Sequence, residues 1–369
     1  MDSLCVRIVG TTLETQPVNV PAVSVVVPLY NKARYIRRTL DSVFAQTFDD
    51  FEVVVVDDGS TDGGDRLVED MAKREPRLRL LRRPNSGQSA ARNDGLAAAT
   101  GDLVVFLDAD DQWYPEYLSA IVKLRKKFPN AGLLATGWRK LFAHMFSGRK
   151  VWVTDITLRA PSDSPWFQFD DYFQKAQVAP ICWVGSTAVP RLIAIEMDGF
   201  AEGEHMGGDR DFWARVALRY PVAFDTRILA VYRADAAERE NVRTDRELQA
   251  PPFLSSAETF IANNRIPENK QSEIQGYLQV LRMNYLVKAI RARDVSVVRA
   301  LLTSDLSQTR RFAWLVCVLR VLSVIRGFRL EALFLRVVGH PLLVRRQRCK
   351  NGVILRTYPD RRGILEKTI

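Results

Sequence analysis

Two aspartates, Asp108 and Asp110, stand one residue apart directly after the apolar run Leu103-Val-Val-Phe-Leu107. Carboxylates removed from water need pairing or a cation. A hard divalent ion such as Mg2+ or Mn2+ would satisfy them, taking oxygen from one or two carboxylates and from substrate phosphates. A solvated turn is the alternative for the same pair. Asp57 and Asp58 close a second apolar run, Phe51 to Val56, and a carboxylate there can accept a hydrogen bond from a ribose hydroxyl or a base N–H. The stretch Asp57-Asp-Gly-Ser-Thr-Asp62 is also turn chemistry in its own right, an Asx-turn or a helix cap. Gly87 makes a turn ahead of a helix that carries Arg92 one to two turns in, which can bring that guanidinium near a diphosphate or leave it on a solvated face. Gly207-Gly208-Asp209-Arg-Asp-Phe-Trp213 lets backbone approach a ligand and opens a helix at Asp209, a general-base position or an ordinary N-cap.

These residues need strand ends and helix starts to hold them. Val23 to Pro28, Phe51 to Val56, Leu78 to Leu81 and Leu103 to Leu107 read as buried strands, and Ala33 to Gln46, Arg66 to Arg74 and Ser89 to Ala99 read as helices between them. Such alternation predicts an α/β fold with a mostly parallel, doubly wound sheet, in which ligands bind beyond the carboxyl ends of the strands. From Ala131 to Arg233 the pattern turns mixed. Strands are expected over 132–136, 150–154, 183–189 and 228–232, as antiparallel additions beside acceptor-side loops, with a helix over Asp209 to Arg219. Beyond Glu240 the expectation is helical: 254–263, 273–292, 295–302, 310–326 and 330–338.

Composition narrows the classes. Of 369 residues 47% are hydrophobic and 26% charged, which excludes collagen-like and wholly disordered chains. The net charge of +10 is unevenly placed: residues 1–240 hold 30 basic and 33 acidic side chains, whereas 241–369 hold 23 and 10. Nucleic-acid binding lacks aromatic interleaving or a recognised motif to accompany the charge. Cys5, Cys182, Cys317 and Cys349 show no C-x-x-C spacing, and His144, His205 and His340 are too dispersed for a metal cluster. A start carrying Asp2 and Glu14 does not read as a secretory signal, so a cytoplasmic location is expected. No G-x-G-x-x-G, Walker lysine or G-x-S-x-G motif is present.

Together, Val23 to Asn31, Ser42 to Phe48, Phe51 to Asp62, Gly87 to Gly95 and Gly101 to Asp111 resemble the inverting family 2 glycosyltransferases of GT-A fold, in order and in spacing. The likeness resumes at Gly199-Phe200 and Gly208 to Trp213. It implies that Pro28, Tyr30 and Asn31 line a nucleotide, Asp58 binds the base, Asp108 the ribose and Asp110 a Mg2+ or Mn2+ ion, with Asp209 as catalytic base. It further implies a nucleotide sugar as donor, UDP-linked by default, and a glycan or lipid-linked acceptor. Gly208 stands where the family usually has an acid, which makes Asp211 a candidate substitute, and Ala234-Asp235 replaces a histidine often found after Val231-Tyr-Arg233. Gln-x-x-Arg-Trp, a mark of processive synthases, is missing, so single-sugar addition is expected.

The expected organisation is a lead over 1–20, a catalytic domain over 21–240 divided near 130 into nucleotide and acceptor halves, and a basic helical region over 241–369. Phe312 to Ile325 is apolar for 14 residues, short of the roughly 20 that span a bilayer, and arginines flank it. It fits an interfacial helix on an anionic membrane, or a packing helix of a bundle. Two other readings remain beside the transferase: a silent nucleotide-sugar-binding scaffold of the same fold, and a sugar-phosphate nucleotidyltransferase. The latter usually has a glycine-rich, Arg-containing loop after the first strand, where this chain has Pro28-Leu-Tyr-Asn31.

Overall fold

The computed structural model describes residues 4–9, 12–17, 20–143, 151–203, 207–234, 250, 252–262, 266–292, 294, 296–297 and 348–359. In chain order the strands are β1 (Leu4–Val9), β2 (Thr12–Pro17), β3 (Val23–Leu29), β4 (Phe51–Asp57), β5 (Leu78–Arg82), β6 (Leu103–Phe106), β7 (Gln112–Trp113), β8 (Leu133–Ala143), β9 (Val151–Leu158), β10 (Trp166–Phe169), β11 (Thr187–Pro190), β12 (Val222–Arg233), β13 (Arg348–Lys350) and β14 (Val353–Pro359). The helices are α1 (Ala33–Phe44), α2 (Gly64–Ala72), α3 (Gln88–Ala98), α4 (Tyr117–Lys127), α5 (Tyr172–Ala176), α6 (Arg191–Glu196), α7 (Gly208–Arg219), α8 (Pro252–Ala262) and α9 (Gln271–Ala292).

The parallel block is β6-β3-β4-β5, each strand paired in register with the next. β3 is buried along its whole length, and in β4 only Glu52 is not, as expected of strands covered by helices on both faces. α3 lies close on β3, because Gly95 carries no side chain: a Cβ there would fall 2.2 Å from Val26 Cγ1. This contact sets how deeply the first turn of α3 reaches over the strand ends.

Past β6 the sheet turns antiparallel through β11, continues to β8 and β9, and ends with β14 and β13. Among the strands expected there, β9 and β11 pair antiparallel with β8, whereas β12 runs parallel to β8 and antiparallel to β10, a strand outside those expected. The lead, for which no element was expected, contains a two-stranded antiparallel pair, β1 and β2. One expectation is corrected, at the other end of the chain. Residues 348–359 are strands rather than helix, and β14 pairs with β9 over seven positions, from Val353 opposite Leu158 to Pro359 opposite Trp152. The expected helices at 254–263 and 273–292 are α8 and α9. Those at 310–326 and 330–338, the interfacial segment 312–325 included, lie outside the described residues, as does 295–302 apart from 296 and 297.

Candidate active site

The carboxyl ends of β3, β4 and β6 bring the first set of candidates together. After β3 the chain turns at Asn31, whose φ of 50° is one that asparagine tolerates better than most residues. That turn is tied to the loop after β4. Asn31 donates its backbone N–H to Ser60 Oγ at 3.0 Å, and its Oδ1 accepts the Thr61 N–H at 2.8 Å. Pro28 is buried in β3 and Tyr30 is exposed beside it. Asp57 accepts the Ser60 N–H, three residues on, at 3.2 Å and so ties the turn that follows β4.

Asp58 spans a longer gap in sequence. Its Oδ1 accepts the Ser86 N–H and its Oδ2 the Gly87 N–H, each at 2.9 Å, and Arg83 Nε lies 3.4 Å from Oδ1. The carboxylate is only 3% exposed. It fastens the β5–α3 loop, whose Gly87 holds φ 94° and ψ 162°, a backbone that side chains other than glycine's disfavour.

Asp108 faces the first turns of α3. Arg92 Nη2 donates to its Oδ1 at 2.6 Å and Gln88 Nε2 to the same oxygen at 3.0 Å. Arg92 is 5% exposed and its guanidinium lies 5.2 Å from the centre of the Phe200 ring. The structure therefore gives Arg92 to Asp108. Asp110 is 3% exposed, with Lys32 Nζ 3.1 Å from its Oδ2, and Arg38 Nη2 reaches its carbonyl oxygen at 3.4 Å. Asp111 accepts the Arg233 N–H at 2.8 Å. The acidic loop is thus surrounded by Lys32, Arg38, Arg92 and Arg233. Lys32 and Gln88 were not singled out from sequence; each is the next residue after a marked one, Asn31 or Gly87, and adjacency was the available signal.

Asp110 and Asp108 supply hard oxygen donors, and among the described residues no group of three His, Cys, Asp or Glu side chains could hold a metal by itself. A donor set of this kind, completed by substrate oxygens, fits Mg2+ or Mn2+ rather than zinc. The buried Asp110 carboxylate already draws a cation in Lys32, which fits a site that binds positive charge.

α7 carries Asp209 to the same region. Gly208 sits against the start of α3, so that a Cβ on it would lie 3.1 Å from Ser89 Oγ. A side chain at 208 would need that hydroxyl to give by a few tenths of an ångström. Phe200 packs edge-on to Phe106 and Phe212, with ring centres 4.8 Å apart in each case, joining β6 to α7. Asn93 holds the intervening turn: its Oδ1 accepts the Phe200 N–H, and its Nδ2 donates to the Phe200 carbonyl, both at 2.9 Å.

Asp209 is half-buried, near three buried groups. Burial pushes the Cys182 thiol up to about 12, and the charge of Asp209 adds to that rise. Burial likewise pushes the Tyr277 phenol up to about 12, with Arg210 opposing and Asp209 contributing. Tyr172 is raised well above its ordinary value, again chiefly by burial. Asp211, by contrast, is 1% exposed and paired with Arg215 at 2.8 Å, while Arg215 also donates to the Met197 and Gly199 carbonyls. This network braces the turn before Phe200. It commits Asp211 to structure and leaves Asp209 as the half-buried carboxylate of the first turn.

Residues 24–191 match the Glycosyl transferase family 2. An uncharacterized glycosyltransferase of Nostoc sp. is 46% identical over 103 residues, 28% of this chain and 32% of that one. The chain thus aligns with about a third of that relative's length. Two solved structures share the fold. The mannosyltransferase PcManGT from Pyrobaculum calidifontis, in complex with GDP-Man and Mn2+, aligns with a TM-score of 0.54 at 22% identity, covering 88% of this chain and 87% of that one. Residues 1–349 of S. aureus TarS, in complex with UDP-GlcNAc, align with a TM-score of 0.50 at 19% identity, covering 76% and 89%. The motif order, the strand-end carboxylates and these likenesses converge: residues 24–191 match glycosyl transferase family 2, and the chain has the GT-A fold.

Proposed function

We propose that this protein transfers a single sugar from a nucleotide-diphosphate sugar to a hydroxyl group of a glycan or lipid-linked acceptor, with inversion, in the building of cell-surface polysaccharide. The carrying observation is the approach of Gly208 to Ser89, which sets Asp209 beside the α3 turn whose Gln88 and Arg92 hold Asp108. This approach supports reading a general base and a strand-end carboxylate for the donor as parts of one site. The fold neighbours solved with UDP-GlcNAc and GDP-Man support the donor class. A UDP-sugar is the default donor.

Each residue has a part in this reading. Pro28, Tyr30 and Asn31 line the nucleotide, with Asp57 shaping the adjoining turn and Gly87 letting backbone approach it. Asp58 binds the base; its Oδ2 accepts one backbone N–H and has a second lone pair for a base N–H. Asp108, aligned by Arg92, accepts from the ribose. Asp209 takes the acceptor hydroxyl proton as that oxygen forms its bond to the anomeric carbon. The bond from that carbon to the diphosphate breaks on the opposite face, and the electron pair leaves with the nucleoside diphosphate. Mg2+ or Mn2+ held by Asp110 would supply positive charge against the diphosphate. Seating on the inner face of an anionic membrane, through residues 306–369 with 14 basic and 3 acidic side chains, completes the reading.

The test is turnover of a panel of nucleotide sugars with and without Mn2+. Release of nucleoside diphosphate dependent on an acceptor supports the proposal. Tight nucleotide binding without turnover of any donor would favour the silent scaffold.

A further inference from the structure

We propose that Lys32 is the resident counter-ion of Asp110 and that a divalent cation enters this site by exchange with it, which makes metal binding depend on the nucleotide. The inference rests on the metal reading given above and concerns what Lys32 does to it.

The backbone of Lys32 is pinned. Its carbonyl accepts the N–H groups of Tyr35 at 2.9 Å and Ile36 at 3.0 Å, opening α1, and the preceding Asn31 is locked to Ser60 and Thr61. Asp110 is pinned as well. Arg38 holds its carbonyl, Thr39 Oγ1 donates to the Ala109 carbonyl at 2.9 Å, and the Asp111 N–H closes on the Asp108 carbonyl at 2.9 Å. With both backbones held, exchange falls to the side chains, and the lysine's is a compact charge on four methylenes.

With Nζ 3.1 Å from Asp110 Oδ2, and the two side chains 16% and 5% exposed, the ammonium occupies space that a cation on that oxygen would use. Two cations on one carboxylate oxygen repel. In the nucleotide-free protein a divalent ion must therefore drive the ammonium away from a buried anion, and its affinity falls accordingly. A diphosphate arriving with the ion offers the displaced ammonium a new anionic partner. The cost of exchange is then offset, and ion and nucleotide reinforce each other's binding. Without Lys32 the ion should bind readily on its own.

Mn2+ titration of the full-length protein, read by the electron paramagnetic resonance of the free ion, tests this with and without UDP. Wild type should bind Mn2+ weakly alone and more tightly with UDP. Lys32→Met should bind Mn2+ alone about tenfold more tightly and lose most of the enhancement by UDP. Lys32→Arg, which keeps the charge, should resemble wild type, and Asp110→Asn should abolish binding in every background. Thermal melts would confirm that the variants fold. Unchanged or weaker Mn2+ binding by Lys32→Met, with binding still dependent on Asp110, overturns the exchange and leaves the metal reading standing. Absence of Mn2+ binding by wild type and Lys32→Met alike, with UDP present, overturns the metal reading and the exchange together.

Discussion

Arg92 Nη2 lies 2.6 Å from Asp108 Oδ1, and this ion pair ties the second turn of α3 to the end of β6. Removing one partner of a pair this buried leaves an uncompensated charge, at a cost of roughly 3 kcal/mol. Arg92→Ala should lower the urea midpoint accordingly and weaken nucleotide-sugar binding about tenfold. Arg92→Lys should recover only part of both, because an ammonium lacks the planar fork that serves Asp108 while lying over Phe200. An unchanged midpoint for Arg92→Ala would show that the pair contributes nothing to stability.

Gly95 gives α3 its depth. An alanine Cβ would stand 2.2 Å from Val26 Cγ1 in the fully buried β3, so Gly95→Ala should destabilise by about 2 kcal/mol despite better helix propensity. Trimming the neighbour should restore part of the loss. If Val26→Ala together with Gly95→Ala is no more stable than Gly95→Ala alone, the close approach is not the cause.

Alkaline stability follows from the groups beneath Asp209. Burial holds the Cys182 thiol at about 12 against an ordinary 9.0, and the Tyr277 phenol at about 12 against 10.0. The folded state therefore keeps protons that the unfolded state has lost between about pH 9 and 12, and stability must fall as pH rises through that window. Each group contributes up to about 1.4 kcal/mol per pH unit. Unfolding free energies from pH 8 to 11 should show the decline, and Cys182→Ala should shallow it; a flat profile above pH 9 would contradict the burial.

Membrane seating needs a test that spares the sheet. Truncation after Thr309 would also remove β14, which pairs with β9 and buries Val353 completely. Charge reversal is cleaner: changing Arg310, Arg311, Arg345 and Arg346 to Glu should release the protein from vesicles containing phosphatidylserine, with its melting temperature retained. Undiminished flotation with such vesicles would remove these arginines as the anchor.

Much of the nucleotide half was legible because its signals are local. β3, β4 and β6 are runs of β-branched and apolar residues, and the carboxylates that follow them cannot be placed cheaply except at strand ends. α7 was legible over Asp209 to Arg219, one residue short of its observed start at Gly208, because its signals are local too. The pairing of Asp108 with Arg92 was not, since sixteen residues separate them and only the approach of α3 to β3 brings them together. The β13–β14 hairpin was hidden in a basic stretch, where Arg348, Lys350 and Arg356 mask the apolar positions Val353 and Leu355 that pair with β9. Lys32 carries no pattern of its own, and its meaning depends on where Asp110 lies.

The central claim is that Asp209 is the base of a sugar transfer carried out beside Asp108. It is tested most directly by comparing Asp209→Asn with wild type for acceptor-dependent release of nucleoside diphosphate, alongside donor affinity. The account predicts that turnover falls by at least about a hundredfold while the donor dissociation constant changes less than about threefold, because the substitution removes the proton acceptor and leaves the nucleotide contacts in place. Turnover by Asp209→Asn equal to that of wild type would contradict it.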